Sequence, residues 1–158
     1  MQDPAEAHRR RGAAFTFDAD SYVAFVRSLR CQPFLPSLPF PNFDHALKDP
    51  SPSPCPILPI HRIVVIEGLY TLLDVEPWRE AAALLDERIW VDVERETARK
   101  RLITRHLQTG VETERGAAEQ RVDLSDMLNG DYIREHLFAP TLTISSIEDT
   151  AFATAQAA

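Results

Sequence analysis

The sequence predicts an α/β fold built on a parallel sheet, and three observations carry that prediction. Ile63-Val64-Val65-Ile66 is an unbroken apolar run rich in β-branched residues, which suits a strand buried on both faces. Ile89-Trp90-Val91-Asp92-Val93 is a second strand. Each is followed by a segment of helical character, and strands alternating with helices imply a parallel sheet.

The elements follow in chain order. Residues 18–30 form a helix, with Tyr22, Phe25, Val26 and Leu29 on one face of a 3.6-residue period and Asp18 or Asp20 as its cap. A proline-rich loop runs from 33 to 59, where Pro33, Pro36, Pro39, Pro41, Pro50, Pro52, Pro54, Pro56 and Pro59 forbid a helix and any central strand. A loop of that length is either functional or disordered. The strand at 63–66 comes next, then a short helix opened by Pro77-Trp78 and ending near Leu85. After the strand at 89–93, Glu94 to Thr109 is a helix closed by Gly110. Glu114 to Leu128 is a second one, closed by Asn129-Gly130. The last strand is placed at 141–145, before an Ala-rich tail.

Composition bounds the function. A chain of 158 residues that is 44% hydrophobic and 26% charged predicts a single domain with a real core. A formal net charge of -7 argues against non-specific binding of nucleic acid. No stretch reaches the ~18 apolar residues that a membrane span requires. Met1 to Arg11 lacks the apolar core of a secretory signal, and Asp3 and Glu6 argue against a mitochondrial one, so the expected compartment is the cytoplasm. Cys31 and Cys55 have no C-x-x-C or metal-ligand spacing and read as reduced thiols.

Three groups of residues can carry chemistry. Ligands of parallel sheets bind at the carboxyl ends of the strands, and Glu67 directly follows Ile66 there. A carboxylate at that place can reach Mg²⁺, which takes one or two carboxylates together with substrate phosphates. Its structural alternative is a Glu that caps the next helix or pairs with an Arg. Arg101 and Arg105, four apart, share a helix face and are followed by His106. Arginine suits bidentate phosphate recognition and stabilises charge in phosphoryl transfer, whereas the alternative is a solvated face paired with Glu94 and Glu96. Asp44, His45 and Lys48 place an acid, a base and a cation in the proline-rich loop, where they hold a polar substrate or form an ordinary loop surface.

At this point a resemblance enters. Ile63-Val64-Val65-Ile66-Glu67-Gly68-Leu69-Tyr70-Thr71-Leu72-Leu73-Asp74 resembles the second acidic motif of the P-loop kinases grouped with uridine kinase, phosphoribulokinase and bacterial pantothenate kinase. Trp90-Val91-Asp92-Val93-Glu94 through Arg101 and Arg105-His106 resembles their next strand and lid helix. Asp126-Met127-Leu128-Asn129-Gly130, Arg10-Arg11-Gly12-Ala13-Ala14-Phe15-Thr16-Phe17-Asp18 and Phe43-Asp44-His45 with Lys48-Asp49-Pro50 resemble three further segments of one subgroup, in the right order. The resemblance implies a nucleoside-kinase-like P-loop fold with a helical lid at 94–130, and transfer of phosphate from ATP, with Mg²⁺, to a hydroxyl of a small-molecule acceptor such as a nucleoside, sugar or vitamin precursor. It implies Glu67 as the acid beside the metal, and Arg101 and Arg105 as lid arginines facing the ATP phosphates. It also puts Asp44, His45 and Lys48 on the acceptor side, and has Asp126 and Asn129 order the turn after the lid.

The sequence departs from that family in one large respect. It contains no G-x-x-x-x-G-K-[ST], and none of its five glycines precedes a lysine. Ser125 also stands where the subgroup has Asn. Only eight residues precede Arg9, so the family's first strand, phosphate loop, first helix and second strand with its general-base Asp are expected to be missing. The expectation is an incomplete P-loop fold, the C-terminal portion of a kinase, inactive alone because its phosphate cradle is absent. In the family sheet the first strand lies between those carrying Glu67 and Asp92, so two inner edges would be left open, at ~1–3 kcal/mol for each buried unpaired group. The rival expectation is a non-catalytic binding protein that self-associates through those edges.

Overall fold

The computed structural model describes residues 10, 12–31, 33, 36–44, 49–52 and 55–148. The chain divides into two compact units, one comprising Met1–Phe17 and Glu87–Ala158 and the other Asp18–Asp86.

In the Asp18–Asp86 unit, α1 (Ala19–Leu29) starts where the sequence predicts, with Asp18 Oδ1 accepting from the Ser21 amide at 3.0 Å. Val23 and Val26 are buried against Ala81 of α2 (Trp78–Ala83), with Tyr22, Phe25 and Ile66 packed beside them. The Trp78 ring lies 5.3 Å from Tyr22 and 5.5 Å from Tyr70. Burial pushes the Tyr22 hydroxyl pKa up, since an ionised oxygen would lose its hydration. The helices are also tied by Arg27 on Glu80, and Arg30 reaches Asp86 at 2.7 Å.

Within the proline-rich segment, β1 (Pro41–Asp44) pairs antiparallel with β2 (Asp49–Pro52) in the register Asp44↔Asp49. A bridge between Leu38 and Ile57 continues the ribbon, their amides and carbonyls exchanging bonds of 2.8 and 2.9 Å. A two-stranded ribbon is all edge, which is where proline is tolerated.

In the other unit, β3 (Ile89–Asp92) and β4 (Leu142–Ser145) pair in parallel, Ile89 opposite Leu142 and Val91 opposite Ile144. Ser146 N donating to Asp92 O at 2.7 Å extends the ladder. Helix α3 (Arg95–Gln108) leaves β3 through Glu94, whose carboxylate accepts from the Glu96 and Thr97 amides at 3.0 and 2.7 Å. Those two bonds hold the Glu94 carboxyl below the ordinary glutamate range. Gly110, at φ +69°, supplies the left-handed residue that ends the helix. Beyond it, α4 (Arg115–Arg121), a π turn at Val122–Asp126 and α5 (Met127–Glu135) run on as one helical stretch. Ile103 of α3 packs with Ala118, Val122 and Met127 into this unit's core.

Two expectations are corrected. The strand predicted at 63–66 does not form: Ile63 and Val65 are 84% and 86% exposed, and among the described residues these backbone groups have no ladder partner. Only Ile66 is drawn in, against Val23 and Val26. A β-branched run gives propensity, but a strand needs a neighbour to receive its amides and carbonyls. The second correction concerns Asn129-Gly130, which lies inside α5 rather than closing a helix at Leu128. Met127, Asn129 and Ile133 are all buried, and that packing outweighs the ~1 kcal/mol that an interior glycine costs.

Candidate functional site

Helix α3 carries four arginines, and the structure gives them different work. Arg95 forms a two-pronged pair with Asp131 of α5, at 3.1 and 2.9 Å. Arg99 does the same with Asp123 of the π turn, at 2.6 and 2.8 Å. Each aspartate is thereby held below its usual pKa, and both guanidinium values are pushed up. These bonds fasten α3 to the stretch behind it.

Arg101 and Arg105 share a different face, as their spacing predicts. Arg101 is half-buried and donates to Ser146 Oγ at 2.8 Å and to the Ile147 carbonyl at 3.4 Å, just beyond β4. Arg105 is exposed, and its side chain has no hydrogen bond or ion pair among the described residues, while its carbonyl accepts from the Thr109 amide and hydroxyl at 2.9 and 2.8 Å. Neither pairs with Glu94 or Glu96: Glu94 caps the helix, and Glu96 lies 3.8 Å from Arg95. Arg105 therefore presents an uncommitted guanidinium to solvent.

Glu67 belongs to the other unit. It is exposed and likewise has no hydrogen bond or ion pair among the described residues. It does not cap the next helix, whose N-cap is Pro77. Asp44 ends β1, opposite Asp49. His45 and Lys48 lie outside the described residues. The structure thus brings Arg101 and Arg105 together on α3 and assigns Glu67 and Asp44 to the second unit.

The described residues contain no group of three or more His, Cys, Asp or Glu able to hold a metal by themselves. The free carboxylate of Glu67 suits Mg²⁺ that arrives with a phosphate chain, which needs only one or two protein carboxylates. Arg105, in the other unit, has the open planar donor that suits a phosphate oxygen.

Two polar contacts were not legible in the sequence. Arg134 of α5 donates to Asp92 Oδ1 at 2.7 Å and to the Val93 carbonyl, and its guanidinium stands 5.6 Å from the Trp90 ring. The Asp92 carboxyl is held low by Arg134 first of all. His106, buried in the last turn of α3, meets Asp126 Oδ2 through Nε2 at 2.7 Å. Partners that lie 42 and 20 positions apart leave no local periodicity to find.

No family model matches the chain. ATP-dependent kinase-like protein notR' of Aspergillus versicolor is 47% identical over 135 residues, covering 84% of this chain and 78% of that one. ATP-dependent kinase YFH7 of Saccharomyces cerevisiae is 32% identical over 170 aligned positions, covering 87% of this chain and 48% of the yeast protein. The crystal structure of YFH7 superimposes with a TM-score of 0.78 at 29% identity, over 94% of this chain and 53% of that one. The chain thus spans about half the length of the yeast relative.

Proposed function

The chain belongs to the family of ATP-dependent P-loop kinases, and from that premise we propose that it carries the lid arginines and the metal-side acid, Glu67, of a small-molecule kinase. The reaction is transfer of the γ-phosphoryl group of ATP to a hydroxyl of a nucleoside, sugar or vitamin-like acceptor in the cytoplasm. The observation that supports this most is Arg105: its helix commits Arg95 and Arg99 to internal pairs and leaves Arg105 open.

In this reading Arg105, with Arg101 beside it, binds the phosphate chain and balances the charge that spreads over the transferring group. Glu67 sets a negative charge beside the metal, and Asp44, His45 and Lys48 orient the acceptor. Glu67 is the residue that would hold Mg²⁺, which would supply positive charge against that building up on the phosphates. The 158 residues contain no G-x-x-x-x-G-K-[ST], so by themselves they bind phosphate weakly and do not turn ATP over.

The test uses the purified 158-residue chain. With Mg²⁺ and ATP it is expected to phosphorylate none of a panel of nucleosides and sugars. It is expected to bind tripolyphosphate in a salt-sensitive way, with binding lost in Arg105→Ala. Saturable Mg²⁺-dependent phosphorylation would overturn the inactivity, and unchanged binding in Arg105→Ala would overturn the lid-arginine role.

A second reading, a non-catalytic protein that associates with itself, has its own support. Ile89, Val91, Leu142 and Ile144 share one face of the β3–β4 sheet and are 46–57% exposed. Parallel sheets ordinarily bury both faces. A monomeric mass in light scattering across a wide concentration range would exclude it.

A further inference from the structure

We propose that His106 and Asp126 form a clasp that positions Arg105, so that Asp126 assists anion binding although it is itself an anion. The inference rests on the lid-arginine reading above.

Helix α3 is fastened at three places to the stretch behind it. The Arg95–Asp131 and Arg99–Asp123 pairs are two-pronged but join flexible side chains, with Arg95 and Asp123 about half exposed. The third contact differs in kind. His106 is a short, stiff ring, its side chain only 11% exposed, and it meets an Asp126 side chain that is 30% exposed. The buried ring makes the bond costly to leave unmade, because His106 would lose its partner with little water to replace it.

Its place in the helix gives it a purpose. His106 is the immediate neighbour of Arg105, in the last turn of α3. The His106 carbonyl accepts from the Val111 and Glu112 amides at 3.0 and 3.2 Å, so one residue anchors that turn through ring and backbone. The Arg105 guanidinium has no hydrogen bond or ion pair of its own to aim it among the described residues. Its direction is inherited from the turn, and the turn is held by Asp126. Asp126 lies in the π turn, a local widening of the helix often found at functional sites.

Simple electrostatics and the clasp predict opposite signs. By Coulomb's law, removing the Asp126 charge strengthens binding of a polyanion. By the clasp, removing the acceptor loosens the turn and weakens it. Asp126→Ala removes charge and acceptor together, whereas Asp126→Asn removes the charge but keeps an oxygen for His106. Comparing the two separates the effects.

The experiment is calorimetric titration of the 158-residue chain and its variants with tripolyphosphate, each variant's fold checked by urea unfolding at Trp90 in a Trp78→Phe background. The clasp requires Asp126→Ala and His106→Leu to weaken binding about threefold or more. It requires Asp126→Asn to recover at least the wild-type affinity. If Arg105→Ala loses binding while Asp126→Ala binds as well as wild type or better, the clasp falls and the lid-arginine reading stands. If Arg105→Ala binds normally, both fall. Should Asp126→Ala not fold, the wild-type chain decides by ¹⁵N NMR: the clasp requires the His106 proton on Nε2, and a bare Nε2 with a protonated Nδ1 overturns it.

Discussion

Val122→Ala tests whether the lid region is held by its small core rather than by its many ion pairs. Val122 is fully buried at the start of the π turn, packed with Ile103, Ala118 and Met127. The substitution removes two buried carbons at ~0.8 kcal/mol each and leaves a small cavity, so the cost is about 2 kcal/mol. With a urea m-value of about 1 kcal/mol/M for a unit of this size, the midpoint falls by about 2 M. The chain has two tryptophans, Trp90 in the unit that contains Val122 and Trp78 in the other. Trp78→Phe makes Trp90 the sole indole reporter, and Val122→Ala is measured in that background. Leu124→Ala, in the same turn but 62% exposed, is the control and stays within about 0.5 kcal/mol. A Val122→Ala midpoint equal to that of the control would refute the reasoning, and stability would then have to be sought in the surface pairs.

Three further outcomes are expected. Asp92, Asp123 and Asp131 have folded-state pKa values lowered from the ordinary 3.8 by Arg134, Arg99 and Arg95, so the folded chain binds fewer protons than the unfolded one at low pH. Their contribution is whole above pH 3.8 and is lost as pH falls through the lowered values; acid unfolding at Trp90 should show that loss, and a midpoint independent of pH below 3.8 would contradict it. In a chimera supplied with the phosphate-loop segment of a relative, Glu67→Gln should lower kcat about 10²-fold, and His45→Ala should raise KM for the acceptor but not for ATP, both read by steady-state kinetics.

What the sequence discloses follows how local the cause is. The start of α1 at Asp18 and of α3 at Glu94 is legible because a cap acts on amides two or three residues away. The parallel strands at Ile89–Asp92 and Leu142–Ser145 are legible from apolar runs, and a matching run at 63–66 misleads because pairing depends on a neighbour that its own residues cannot specify. The ribbon of β1 and β2 is hidden by prolines, which exclude central strands and allow edges. On the candidate site, the shared face of Arg101 and Arg105 follows from a spacing of four. That Arg101 is engaged by Ser146 while Arg105 is open depends on a contact 45 positions away, and no pattern along α3 foretells it.

The division of the chain has a consequence for its birth on the ribosome. The Asp18–Asp86 unit is continuous, whereas its companion is assembled from an N-terminal arm and everything after Asp86. During synthesis the first unit can close on itself as it emerges. The arm, where Gly12 comes to lie beside the Asn129 amide, has to wait for a partner made more than a hundred residues later. At translation rates of ~5–20 residues per second, that delay lasts about 6 to 23 seconds. Throughout it Ala13, buried in the finished protein, stays open to water and to chaperones. Chain elongation speed thereby becomes a factor in yield, and slowing it lengthens the exposure of the arm without touching a single native contact.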